Sequence, residues 1–144
     1  MDIIFKKYYT KNMKIAICGS IAFSKEILET QKILEARGFF VITPKDILKY
    51  AEDEVNHEDK WSKIEGDVFK EYFEEIKKCD AILVINKDKN NIKNYIGGNS
   101  LIEMAFAHIL NKNIFLLNPI PKINYTDEIE AMKPIILNGD LDKI

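Results

Sequence analysis

Five short, nearly continuous apolar runs, separated by stretches of helical spacing, limit this chain to very few folds. Met13–Cys18 stops at Gly19-Ser20, and Phe39–Thr43 stops at Pro44. Asp80–Asn86 follows and is the most strand-like segment; Ile114–Leu117 and Pro134–Leu137 complete the set, the last turning at Asn138-Gly139. Between them, Phe23, Ile27, Leu28 and Leu34 recur at helical spacing up to Arg37, with Gly38 as a stop. Val68, Phe69, Tyr72, Phe73 and Ile76 form a second amphipathic stripe, and a third helix is expected from about Ser100 to Leu110. Strands that are apolar on both faces and alternate with helices specify a parallel sheet covered on both sides. Right-handed crossovers then favour a doubly wound α/β sheet, whose ligands bind beyond the carboxyl ends of the strands, where the strand order reverses.

The 144 residues suit one domain, read as residues 13–144 preceded by an appendage over 1–12, with Met13 an alternative start. Charged residues are 31% of the chain, and no apolar run approaches the roughly 20 residues that span a bilayer, so no membrane association is expected. The opening Met1–Lys7 is too short and too soon charged for a signal peptide, which predicts a cytoplasmic location. Lys and Arg (21) nearly balance Asp and Glu (23), which argues against a nucleic-acid polymer as partner but permits a small anion held by local dipoles. Cys18 and Cys79 are expected to be buried free thiols. The polar stretch Lys45–Glu65, with a short helix around Ile47-Leu48, is expected to be a mobile excursion near the site, in which Trp61 either packs or covers a base.

Three segments meet at the carboxyl edge: Gly19, Ser20 and Ile21 after the first strand, Asn86 after the third, and Gly97, Gly98 and Asn99 before the next helix. Gly19-Ser20 can present N–H groups and a hydroxyl to a phosphate, or form a plain turn with an N-cap. Gly97-Gly98 predicts a close approach or a positive φ, or a flexible start to the helix. Glu103 stands out because its helix, Leu101–Ala107, is apolar almost all round, which predicts burial, and an unpaired buried carboxylate is costly. Ser100 lies at capping-box spacing from it, which is one explanation. The other places Glu103 in the first helical turn, ionised by the helix dipole and facing a sugar carbon as a nucleophile. Asp80 begins its strand, so it belongs to the opposite edge in a structural role. His57 and His108 share no metal-like or triad-like arrangement, and His108 is expected at the core or its rim.

Ile17–Ile21, Cys79–Val84 and the Gly-rich turn leading into Ile102–Ala107 resemble the nucleoside 2-deoxyribosyltransferase-like superfamily, which includes the 2′-deoxynucleoside 5′-monophosphate N-glycosidases. The resemblance runs in order and spacing through most of Met13–Pro119. It implies a flavodoxin-like, Rossmann-like three-layer sandwich with a roughly five-stranded parallel sheet. It also implies a homodimer whose sites are completed by the neighbouring subunit, no metal or organic cofactor, and a double displacement at the N-glycosidic bond of a (deoxy)nucleoside or its 5′-monophosphate. The nucleophile falls on Glu103, and the substrate-contacting turns fall on Gly19, Ser20 and Ile21 and on Gly97, Gly98 and Asn99. An aromatic residue of the monophosphate N-glycosidases falls on Ala16, their basic residues after the Gly-Ser turn fall on Ala22 and Phe23, and an acidic position falls on Tyr72. Lys45 and Lys87 are the candidates for replacement positive charge. These departures keep a second expectation open, a non-catalytic nucleotide-binding or sensing domain of the same fold. A purely structural or partner-binding domain would leave the two glycine turns without a purpose.

Overall fold

A computed structural model describes residues 13–52 and 67–144. The expected appendage before Met13, together with His57, Trp61 and most of the polar excursion, lies outside the described residues. The chain runs β1 (Lys14–Gly19), a 3-10 turn (Ile21–Phe23), α1 (Ser24–Ala36), β2 (Phe40–Ile42) and α2 (Ile47–Glu52), then α3 (Val68–Lys77) and β3 (Ala81–Ile85). It continues through α4 (Gly98–Ile109), β4 (Asn113–Leu116), α5 (Thr126–Ala131), β5 (Ile135–Ile136) and a closing 3-10 turn (Leu141–Lys143). Among the described residues, no helix is long and apolar enough to cross a membrane.

The five strands form one sheet in the order β2-β1-β3-β4-β5, and every pairing is parallel. The expected α/β sandwich is therefore present, and its strand order reverses between β1 and β3. That is where a doubly wound sheet opens its ligand crevice. Cys18 pairs with Val84 and Gly19 with Ile85, so both strands end level at that crevice.

Strand alternation divides the core in two. Ile15, Ile17, Leu83 and Ile85 face the side covered by Phe23, Ile27 and Leu34 of the first helical segment, with Ile47 of α2. Ala16, Cys18, Ile82 and Val84 face Tyr72 and Ile76 of α3, Met104 and Ala107 of α4 and Ile129 of α5. Gly38 takes φ 94° and ends α1, and Asn138 and Gly139, at φ 51° and 78°, make the turn expected after the last strand. Asp80 sits at the amino edge, as expected: its Oδ2 accepts the Lys14 N–H at 2.8 Å, while its own N–H donates to the Lys14 carbonyl at 2.8 Å.

Three details differ from the expectation. Helix α5 was not foreseen, because its six residues supply one core side chain, Ile129, and no readable period. Helix α4 begins at Gly98, two residues early, with the Gly97 carbonyl accepting its first bond from Leu101 N at 3.0 Å. And α4 is not buried all round: Ser100, Met104 and Ala107 face the core, whereas Ile102 and Ile109 are 40% and 77% exposed.

Candidate functional site

The early start of α4 changes the account of Glu103. Gly97 is the N-cap, in extended backbone at φ −85° and ψ 177°, and no side chain caps the helix. Ser100 therefore lies inside the first turn and is buried, so Ser100 and Glu103 do not form a capping box. Glu103 itself falls in the second turn, beyond the reach of most of the helix-dipole effect, so the first-turn placement is corrected as well. The cause is local. A Gly-Gly pair adds no side chain that must be placed before the helix begins, so α4 starts as soon as the chain turns back over the sheet.

Glu103 and Asn99 line one cavity of about 300 Å³, at the lower end of the roughly 300–1,000 Å³ usual for small-ligand sites. Tyr72 and Val68 of α3 form another wall, and Pro44, Lys45, Asp46, Lys49 and Tyr50 close the side towards α2. Glu71 completes the lining, with Lys45 4.0 Å away in a solvent-exposed ion pair. Of the two lysines proposed to supply charge, Lys45 thus reaches this cavity. Lys87 lies instead in an open groove with Lys89 and Asn118.

Cys18 and Tyr72 lie beneath Glu103. Cys18 is the last β1 residue on the α4 side and is fully buried. Burial first, and then the charge of Glu103, raise its thiol well above the ordinary range, so it stays protonated. Tyr72 donates its hydroxyl to the Ile17 carbonyl, tying α3 to the end of β1. Its phenol is also raised well above the ordinary value, chiefly by burial and then by Cys18 and Glu103. The sequence reading treated Tyr72 as packing and missed its place in the cavity wall; Cys18 was classed only as a buried thiol. Their positions on one face, Cys18 by strand alternation and Tyr72 by helical spacing, were the available signal.

The other expected site residues form a second cluster at the same sheet edge. Gly19 sits in close packing: a Cβ there would stand 3.2 Å from the Ile85 carbonyl oxygen, tighter than an ordinary contact. The Ser20 hydroxyl caps the 3-10 turn, accepting from Ala22 N at 3.3 Å, and receives the Lys89 ammonium at 2.9 Å. Lys89 also lies 5.3 Å from the Tyr95 ring centre. It is carried there by a tight turn in which Lys89 and Ile92 bond each other's main chains and Asn90 and Asn91 take φ 54° and 60°. Gly97 packs against Tyr95, whose Cε1 would be 3.2 Å from an added Cβ; Gly98 faces open space, and neither glycine takes a positive φ. Ile21 is a buried packing residue whose carbonyl accepts from the Ser24 hydroxyl.

Asn86 is wholly buried, and its amide is committed to Asn118 and Pro119, so it joins β3 to the segment after β4. His108 lies on the exposed side of α4. Cys79 is a buried free thiol, as expected, raised by burial to about 11.

No family model matches the chain, and no curated protein matches it by sequence. Among solved structures it matches a 2-deoxyribosyltransferase from Bacillus psychrosaccharolyticus at 23% identity and a TM-score of 0.54, covering 85% of this chain and 97% of that one. At that identity the likeness speaks for the path of the backbone. The chain has the nucleoside 2-deoxyribosyltransferase-like fold.

Proposed function

We propose that this protein cleaves or transfers at the N-glycosidic bond of a deoxynucleoside or deoxynucleoside 5′-monophosphate, with Glu103 as the nucleophile. The observation that carries this is the Glu103 carboxylate of α4 lining a ligand-sized cavity together with Asn99, Tyr72 and Lys45. The fold shared with a 2-deoxyribosyltransferase supports it. One Glu103 oxygen bonds to the anomeric carbon as the bond from that carbon to the base breaks, and its electron pair leaves with the base, which takes up a proton. Water or a second base then attacks the same carbon, loses a proton, and releases the carboxylate. Asn99, which lines the cavity with Glu103, would hydrogen-bond the sugar, and Ser20 with Lys89 would receive a 5′-phosphate. Gly19, Ile21, Gly97 and Gly98 shape the turns around the substrate, and Asn86 holds the β3–β4 edge in place. We place the protein in the cytoplasm as a homodimer joined through the exposed apolar stripe of α4.

The test is release of free base from deoxynucleosides and their monophosphates, followed by chromatography. Wild type should release base, and Glu103→Gln should lose at least about a thousandfold, since losing a covalent nucleophile costs more than losing a single stabilising donor. No release by wild type, or equal release by the variant, overturns the proposal. The second reading, a nucleotide-binding domain without turnover, is favoured by one observation: Tyr72, with its hydroxyl committed to Ile17, stands where the resemblance puts an acid. Thermal stabilisation by a nucleotide with no base release would select it.

A further inference from the structure

We infer that Tyr125 is a positioning residue for Asn99: its hydroxyl, bonded to the Ile96 carbonyl, sets the turn from which α4 carries Asn99 into the cavity. The inference rests on the reading of that cavity as the substrate site, and adds to it a residue that stands outside the cavity lining.

The turn Ile96-Gly97-Gly98 has little of its own to fix it. Gly97 is the N-cap and has no side chain to bond the first N–H groups of α4. Two glycines in succession also give the backbone its widest choice of φ and ψ. The Ile96 side chain is buried, and its carbonyl precedes the helix ladder, whose first bond runs from Leu101 N to the Gly97 carbonyl at 3.0 Å. A partly buried carbonyl without a partner is costly, and the Tyr125 hydroxyl supplies the donor. That hydroxyl stands on a firm base. Tyr125 packs against the core on the α4 side and is the N-cap of α5, where Ile129 is wholly buried. The Thr126 hydroxyl accepts the Ile123 N–H at 2.8 Å and lies 2.8 Å from the Pro121 carbonyl, which closes the loop before α5. From another direction the Tyr95 ring bears on Gly97, with Cε1 3.2 Å from where a Cβ would be. Two tyrosines thus hold the turn. Asn99 follows Ile96 by three residues, so of the two α4 residues in the cavity it depends more on the turn. Glu103 lies a further helical turn along, where Met104 and Ala107 fix the helix to the core.

Tyr125→Phe removes the hydroxyl and keeps the ring in its packing against the core. Two measurements on this variant test the inference. In amide hydrogen exchange, the Leu101 N–H reports on the turn through its bond to the Gly97 carbonyl. Its exchange should quicken about fivefold, the equivalent of one lost hydrogen bond. The Leu117 N–H, bonded to the Val84 carbonyl at 3.0 Å, should keep its rate. The second measurement is a double-mutant cycle on base release. Tyr125→Phe should lower kcat/KM about tenfold in the wild-type background and less than about twofold in Asn99→Ala, because the hydroxyl acts through Asn99. A hydroxyl with a merely structural role would cost the same factor in both backgrounds. Unchanged exchange at Leu101, or equal losses in the two backgrounds, overturns the inference. If wild type releases no base, the glycosyl-transfer reading fails; the exchange result then stands by itself, and the cycle is read on the Kd of a deoxynucleoside monophosphate.

Discussion

Asn86 and Asn118 hold each other by reciprocal hydrogen bonds across the carboxyl ends of β3 and β4. The Asn86 amide donates to the Asn118 carbonyl at 2.9 Å and to the Pro119 carbonyl at 3.1 Å, and its Oδ1 accepts the Asn118 N–H at 2.9 Å. The Asn118 amide returns a bond to the Asn86 carbonyl at 2.9 Å. Beyond the last ladder pair the two chains would otherwise separate, exposing main-chain groups at the sheet edge that carries the site.

Asn86→Ala should therefore act on stability. It leaves the part-buried Asn118 N–H and two carbonyls without their partner, and the cost should be about 1–3 kcal/mol, read from urea denaturation. Asn86→Asp should be at least as damaging, because it places a carboxylate oxygen opposite two carbonyls. A change below about 0.5 kcal/mol in Asn86→Ala would show that the clamp is dispensable.

The buried acids give the protein an alkaline limit. Burial raises Cys79 from its ordinary 9.0 to about 11 and also raises Cys18 and Tyr72. The native state thus keeps protons that the unfolded chain gives up, and in that window stability falls as pH rises. All of this stabilisation is present below pH 9, and it is lost as the pH climbs towards 11 and beyond. Chemical denaturation at steps from pH 8 to 11 should show the decline, and Cys79→Ala should flatten it even if its stability at pH 8 is lower. An unchanged slope in that variant would mean that Cys79 titrates alike in both states.

Lys89 offers a test of substrate charge. The turn through Asn90 and Asn91 sets its ammonium 2.9 Å from the Ser20 hydroxyl. Lys89→Met should raise KM for a deoxynucleoside monophosphate about tenfold, the loss of one charge-assisted hydrogen bond, and change that for the unphosphorylated nucleoside less than about twofold. Equal effects on both substrates would remove Lys89 from phosphate recognition.

How much of this was legible in the sequence follows from the range of the interactions. Strands β1 and β3 declare themselves by unbroken apolar runs, and Gly38, the Asn138-Gly139 turn and Asp80 act within their own neighbourhoods, so local rules place them. The start of α4 was misplaced because Ser100 looks like a cap wherever it stands, and only the path over the sheet decides whether Gly98 or Ser100 leads the helix. The Tyr72 bond to Ile17 and the Lys89 approach to Ser20 join residues far apart in the chain. No spacing records them. Helical burial was overestimated for α4 because an apolar residue facing solvent and one facing a core have the same sequence signature.

That overestimate leads to the last prediction. Ile102, Ala105 and Ile109 are exposed at positions three and four residues apart, so they form one apolar stripe on the outer face of α4. The stripe begins one residue before Glu103, so a second copy packed there would lie next to the cavity. Ile109→Lys should leave the fold intact, because Ile109 is 77% exposed. Placing an ammonium at the centre of an apolar contact should nevertheless weaken association by about 2 kcal/mol or more per pair of sites. Sedimentation velocity over a dilution series should then show wild type as a dimer and the variant as a monomer at the same concentration. Base release by the variant should fall in step with dissociation. A wild type that sediments as a monomer, or a variant that sediments like wild type, excludes this stripe as the dimer interface.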